Sequence, residues 1–235
     1  MKALIIGANS AIGSAFMHQW LQASTQNTCI AVSRLPPAQL LPGGSQWQSC
    51  DYSEAGIIDC CEELSEAGPF ERVVICNGQL HSDELAPEKR LEELSLSAMT
   101  KIMTSNTMIP ALFVARLLPL LDKKAVVAVL SARVGSIGDN RLGGWYSYRA
   151  SKAALNMMLQ TAAVEYARRK PGAKLMAFHP GTTDSPLSRP FQTNVPEGKL
   201  FTPEFVAMQL HKLMSGQQAD GKLSFIDWEG KTIPW

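Results

Sequence analysis

Apolar residues in this chain gather in short continuous runs separated by stretches of helical period. The runs Ala3–Ile6, Cys29–Ser33, Gln46–Cys50, Arg72–Cys76, Ala125–Leu130, Lys174–His179 and Lys222–Ile226 do not alternate, which suits strands buried on both faces of a parallel sheet. Helical period covers Ile12–Ala23, Ala55–Ala67, Leu91–Met103, Thr104–Leu121, Ser147–Lys170 and Pro203–Met214, the last opened by Thr202 as N-cap and Pro203 at the first helical position. Strand and helix in alternation predict an α/β fold: one doubly wound domain with a mostly parallel, seven-stranded sheet flanked by helices. The Pro-, Ser- and Thr-rich stretch 182–198 is the one long irregular segment. Lying at the carboxyl edge of such a sheet, it reads either as a lid over a substrate or as a plain surface loop.

Composition narrows the class. A length of 235 residues fits one large domain, and 46% apolar with 18% charged residues is globular, not disordered. A formal net charge of +1 gives no reason to expect nucleic acid or an acidic membrane as partner. The apolar run at the N-terminus is too short for a signal segment or a membrane span and reads as a first strand, so a cytoplasmic location is expected. The five cysteines have no disulfide-like spacing and suggest free thiols. No CxxC or His/Cys cluster has metal-ligand spacing, so no metal site is expected. His18, His81 and His211 are scattered and read as structural, the methionines as core packing with some at an interface, and Trp228 and Trp235 as packing for the end of the chain.

Candidate chemistry begins immediately after the first strand. Gly7-Ala8-Asn9-Ser10-Ala11-Ile12-Gly13 leads into a helix, and small residues there let backbone approach a pyrophosphate whose charge the helix N-terminus stabilises. The GxGxxG fingerprint is absent. At the end of the second strand, where a unit selective for NAD carries an acid for the ribose hydroxyls, Ser33 and Arg34 stand instead. They are suited to charge-assisted bonds with the extra phosphate of NADP, so NADP(H) is the expected cofactor.

Tyr148 and Lys152 occupy positions i and i+4 of the fifth predicted helix, on one face. A free tyrosine titrates near pH 10. A neighbouring ammonium favours the phenolate and is expected to lower that value, fitting Tyr148 for proton transfer to or from a substrate oxygen.

Tyr148-Arg149-Ala150-Ser151-Lys152 strongly resembles the YxASK signature of the short-chain dehydrogenases/reductases, and the Gly7–Gly13 turn resembles that family's TGxxxGxG turn, with Ala11 for the middle glycine and Ile6 for the threonine. The resemblance spans nearly the whole chain. It is nearest to the small C-factor and sniffer-like carbonyl reductases, through Arg133-Val134-Gly135-Ser136-Ile137 and Gly144-Trp145-Tyr146-Ser147-Tyr148-Arg149. It implies a Rossmann-type fold and a homodimer or homotetramer packed through the helices that hold Asn106 and Tyr148. By the same resemblance Asn106 holds a relay water for Lys152, Asp51 and Tyr52 lie at the adenine, and Asn77 and Gly78 pack beside the cofactor. Pro180, Gly181 and Thr182 border the nicotinamide, with Thr183 and Ser185 on its carboxamide.

One position departs from the family. The serine that bonds the substrate carbonyl falls on Ala132 when counted from Gly135, leaving neighbouring Ser131, or Ser136 on the following loop, as substitutes. Two functions follow from these matches. The first is NADP(H)-dependent hydride transfer between nicotinamide and a small-molecule carbonyl or alcohol, with Tyr148 as general acid/base assisted by Lys152. The alternative is a catalytically weak NADP(H)-binding protein that signals or senses redox state.

Overall fold

The computed structural model describes residues 1–37 and 40–235. Its strands are β1 (Lys2–Ile6), β2 (Thr28–Ser33), β3 (Ser45–Ser49), β4 (Phe70–Ile75), β5 (Leu121–Leu130), β6 (Lys174–His179), β7 (Thr182–Thr183), β8 (Leu200–Phe201) and β9 (Ser224–Asp227). Seven of them form one sheet in the order β3-β2-β1-β4-β5-β6-β9, every neighbouring pair parallel. The order reverses between β1 and β4, and the crevice beyond their carboxyl ends is where doubly wound sheets bind ligands.

Helices α1 (Ala11–Gln22), α2 (Glu54–Leu64), α3 (Leu96–Met103), α4 (Ile109–Leu117), α5 (Tyr146–Arg169) and α6 (Pro203–Gly216) cover both faces. Side chains alternate across each strand, so β1 feeds two cores. Leu4 and Ile6 pack with Ile57, Leu64, Phe113, Leu155 and Leu159 beneath α2, α4 and α5. Ala3 and Ile5 pack with Phe16, Trp20, Val206, Leu210 and Met214 beneath α1 and α6. This two-sided burial explains the unbroken apolar runs of the inner strands; the run expected at Gln46–Cys50 instead forms edge strand β3, Ser-Gln-Trp-Gln-Ser, in which no residue is fully buried.

Three segments differ from expectation. The helix expected over Leu91–Met103 starts only at Leu96, where the Ser95 hydroxyl accepts from the Ala98 N–H at 3.2 Å; Leu91–Glu93 is a single 3-10 turn. The helix expected over Thr104–Leu121 opens as a π turn, Thr104–Met108, and ends before Leu121, which begins β5. Pro110 lies four residues beyond Asn106 and has no N–H for its carbonyl, and the ladder shifts so that the Ile109 N–H reaches Thr104 O. Stretch 182–198 is not irregular. β7 pairs with β8, Arg189–Asn194 form 3-10 turns, and the Asp184 N–H donates to Phe201 O at 2.8 Å.

All five cysteines are buried and free. Among the described residues no helix is long and apolar enough to cross a membrane, and no three His, Cys, Asp or Glu side chains group as metal ligands. Trp235 stacks on Phe225 with centroids 5.3 Å apart, whereas Trp228 packs on Phe201 at 4.4 Å, against β8 instead of the chain end.

Candidate active site

The turn after β1 is tight because two glycines have no room for a side chain. Gly7 has φ 76°, and a Cβ there would stand 3.1 Å from Cys76 C and 3.2 Å from Asn77 N. A Cβ on Gly13 would come within 2.7 Å of Gly7 O and 2.9 Å of Ser10 Oγ. Ser10 is the N-cap of α1, its hydroxyl accepting from the Gly13 N–H at 3.1 Å; Ala11 begins the helix and Ile12 anchors it in the core. The Asn9 amide donates to Leu35 O at 2.8 Å, tying the turn to the segment after β2.

That segment holds the predicted phosphate pair, and the structure removes half of it. Ser33 is buried. Its hydroxyl donates to Leu35 O at 2.7 Å and accepts from Trp47 Nε1 at 2.9 Å, so its only proton is already committed and none remains for a phosphate. Arg34 is exposed, with its guanidinium carbon 5.9 Å from the centroid of the Tyr52 ring. Burial pushes the Tyr52 phenol up to about 12. Asp51 accepts from the N–H and hydroxyl of Ser53, each at 2.8 Å, which holds its carboxyl below the usual range and fixes the start of α2.

Among the described residues, two buried polar atoms beside this crevice have no partner: Asn77 Oδ1, just past β4, and Thr183 Oγ1 in β7. A Cβ on Gly78 would stand 3.5 Å from Lys152 Nζ and 3.7 Å from Asn106 Oδ1, so the smallest residue sits where those two converge. After β6, His179 is followed by Pro180 and Gly181, whose φ of 73° turns the chain against Phe201 and Trp228. Thr182 begins β7, and the Ser185 hydroxyl donates to Thr183 O at 3.2 Å. The glycine turn with Asn77 against it, and Thr183 beyond β6, fit an extended group with both acceptors and donors, as a dinucleotide has.

Tyr148 and Lys152 share a face of α5, with Lys152 Nζ 5.9 Å from the centroid of the Tyr148 ring. The ammonium is buried and donates to Leu130 O at 2.8 Å. Burial lowers the lysine to about 8 and raises the Tyr148 phenol to about 12. The expected lowering of Tyr148 is therefore not what the protein alone does: desolvation of the phenolate pushes the value up. The phenol keeps its proton through the neutral range, and the group that titrates near neutrality is Lys152. If carbonyl reduction needs the ammonium, kcat/KM should fall as pH rises through about 8; a profile flat through that region would separate the lysine charge from the chemistry.

Asn106 sits on the π turn, fully buried. Its Oδ1 accepts from the Gln79 N–H at 2.6 Å, and its Nδ2 donates to Gln79 O at 2.9 Å and Ser151 Oγ at 3.0 Å. It thereby clamps the loop after β4 to α5 one residue before Lys152. Ser131 is buried and bonded to α5. Its hydroxyl donates to Asn156 Oδ1 at 2.6 Å, one helical turn beyond Lys152, and that bond uses its single proton. The Ser136 hydroxyl accepts from the Asp139 N–H at 3.0 Å, and among the described residues its own proton has no partner.

The fold also brings in residues with no local sequence signal. Trp145 lies edge-on to Tyr148 at 6.1 Å and 5.0 Å from Phe191, while His81 lies 5.7 Å from Phe191 with Nε2 3.1 Å from Pro186 O. Together these rings wall the approach to the phenol. His81 packs on Phe191 and Pro186 there, which only the return of segment 184–194 across the sheet edge brings about.

A doubly wound sheet with a glycine turn at its switch point and a phenol–ammonium pair on the facing helix defines a dinucleotide-type oxidoreductase scaffold. The model of the family described as short chain dehydrogenase matches residues 1–196, and the chain belongs to that family. It is 34% identical over 184 residues to 1-hydroxy-2-glutathionyl-2-methyl-3-butene dehydrogenase of Rhodococcus sp. strain AD45, covering 78% of this chain and 76% of the relative. It is 30% identical over 147 residues to the C-signal protein of Myxococcus xanthus, covering 62% and 83%. The structure of NADPH-bound carbonyl reductase from chicken fatty liver shares the fold with a TM-score of 0.84 at 23% identity, covering 100% of this chain and 94% of the other.

Proposed function

We propose that this protein is an NADP(H)-dependent oxidoreductase acting on a small-molecule carbonyl or alcohol. The observation that carries the proposal is the convergence of Tyr148, buried Lys152 and the Asn106 clamp on the crevice that the Gly7 and Gly13 turn borders. NADPH, when bound, supplies hydride to a carbonyl carbon. The turn from Gly7 to Gly13 and the N-terminus of α1 would hold its pyrophosphate, Arg34 its extra phosphate, Asp51 and Tyr52 its adenine end, and Asn77, Gly78 and the Pro180–Ser185 segment its nicotinamide end. That a relative of the fold carries NADPH supports the choice of cofactor.

During reduction Tyr148 gives its proton to the substrate oxygen. Lys152 holds a positive charge beside the phenol and stabilises the phenolate that remains. The Asn106 carbonyl, which Pro110 cannot bond, is the group left to seat a relay water behind Lys152. With Ser131 committed to Asn156, Ser136 is the hydroxyl best able to steady the oxygen. Arg34→Ala should weaken NADPH at least tenfold more than NADH, as loss of one charge-assisted contact implies at about 1.5–3 kcal/mol; equal weakening of both would remove Arg34 from the phosphate.

Ala132 favours a second function: a cofactor-binding protein with weak turnover, used for signalling or redox sensing. Purified protein offered NADPH and a panel of aromatic diketones, aliphatic aldehydes and ketones separates the two. Turnover that Tyr148→Phe removes supports the enzyme, and tight NADPH binding without turnover supports the sensor. The exposed apolar residues Met157, Met158 and Val164 of α5 and Met108 beside α4 support self-association through these helices, and sedimentation would read the state.

A further inference from the structure

Helix α5 carries both proposed catalytic side chains, yet its own sequence does not cap it. Trp145 stands at the N-cap with φ 52° and ψ 44°, in the left-handed region, and offers no side-chain acceptor; no acid lies in the first turn. Gly143 and Gly144 before it are left-handed too, at φ 65° and 64°. Arg149 pins this turn by donating to Gly143 O at 3.0 Å and Gly144 O at 2.9 Å. The helix N–H groups find their acceptor on a different segment, between β4 and α3. Glu88, 4% exposed, accepts through Oε2 from the Ser147 N–H at 3.1 Å and through Oε1 from the Ser147 hydroxyl, and its backbone carbonyl accepts from the Trp145 N–H at 2.5 Å. Among the described residues no cationic side chain pairs with it. The neighbouring Arg90 guanidinium pairs with Glu93 instead, and Glu93 also accepts from the Lys89 backbone N–H.

We propose that Glu88 is a positioning residue for Tyr148: its buried carboxylate caps α5 from a distant loop and sets where the phenol stands. This rests on the assignment of Tyr148 as the general acid. A side-chain acceptor normally satisfies the second or third N–H of a helix from the N-cap itself. Here the same bond is made at Ser147, the residue immediately before Tyr148, by a group whose backbone also holds Trp145 in its left-handed conformation. One residue therefore fixes both the phenol and the indole that lies edge-on to it. Among the described residues the hydrogen bonds of Glu88 go to Trp145 and Ser147 and none to the Gly7–Gly13 turn, so its loss should leave NADPH affinity intact.

Steady-state kinetics of Glu88→Gln, Glu88→Ala and Tyr148→Phe, on whichever carbonyl of the panel the unaltered protein reduces fastest, test the proposal. Misplacing a reacting group by about 1 Å costs about a hundredfold. Glu88→Ala should thus lower kcat about a hundredfold and Glu88→Gln, which keeps the shape and an acceptor oxygen, about tenfold, with NADPH Kd little changed and Tm lowered by no more than the roughly 2–8 °C that loss of one cap implies. Sodium formate, small enough for the space the Ala variant leaves, should restore part of its kcat and do nothing for Tyr148→Phe. Turnover abolished in Tyr148→Phe but unchanged in both Glu88 variants would overturn the positioning role alone. A fall in kcat matched by lost NADPH binding and lost Tm would do the same, by showing that Glu88 only supports the fold. Turnover unaffected by Tyr148→Phe would overturn the assignment of Tyr148, and with it the reason to position the phenol.

Discussion

Replacing Tyr148 by phenylalanine should lower turnover by about a hundred- to ten-thousandfold, the usual worth of a positioned general acid, while NADPH binds as before. The substitution removes one oxygen from a ring that is only partly buried and leaves the packing against Trp145 at 6.1 Å in place. Lys152 keeps its bond to Leu130 O, so the helix has no reason to shift. The measurement is paired: kcat on a reducible carbonyl, and NADPH Kd by fluorescence. Unchanged turnover would move the acid elsewhere, and the walls of the approach hold one other titratable ring, His81. The burial that holds the phenol at about 12 sharpens this expectation. A phenol protonated at neutral pH is ready to donate, so reduction needs no prior proton uptake; the reverse oxidation must first remove a proton and should gain rate as pH rises.

Gly13→Ala should have the second large effect, on binding instead of turnover. The added carbon would lie 2.7 Å from Gly7 O and 2.9 Å from the Ser10 hydroxyl, closer than real Cβ contacts come. Both neighbours belong to the turn that must cradle a pyrophosphate, and the backbone carbonyl has little freedom to yield. Overpacking of this kind costs about 1–3 kcal/mol, so NADPH affinity should fall about ten- to hundredfold. Isothermal titration reads it directly. Wild-type affinity in the Ala variant would mean that the turn relaxes easily and is not the anion cradle.

Much of the fold was legible along the chain because parallel strands buried on both faces leave continuous apolar runs. All seven strands of the main sheet lie where those runs predict them, and the sites at Gly7–Gly13 and Tyr148–Lys152 are local motifs whose spacing survives in one dimension. Helix ends were less legible. The π turn at Thr104–Met108 and the early start of β5 at Leu121 arise where Pro110 breaks the ladder and the chain dives into the sheet, not from a change in hydrophobic period.

Sequence alone determined the doubly wound architecture, the glycine turn, the phenol–ammonium pair and the gap at Ala132, since each depends on residues adjacent in the chain or one helical turn apart. Only the tertiary structure decided how side chains spend their hydrogen bonds. Ser33 gives its proton to Leu35 O and Ser131 gives its proton to Asn156, bonds to which no local sequence pattern points. Burial raises the Tyr148 phenol, and Glu88 reaches the N-terminus of α5 from a distant loop. The physical reason is common to all of these: a donor's partner and a charge's solvation are set by what the fold packs against them, and those neighbours lie tens of residues away in the chain.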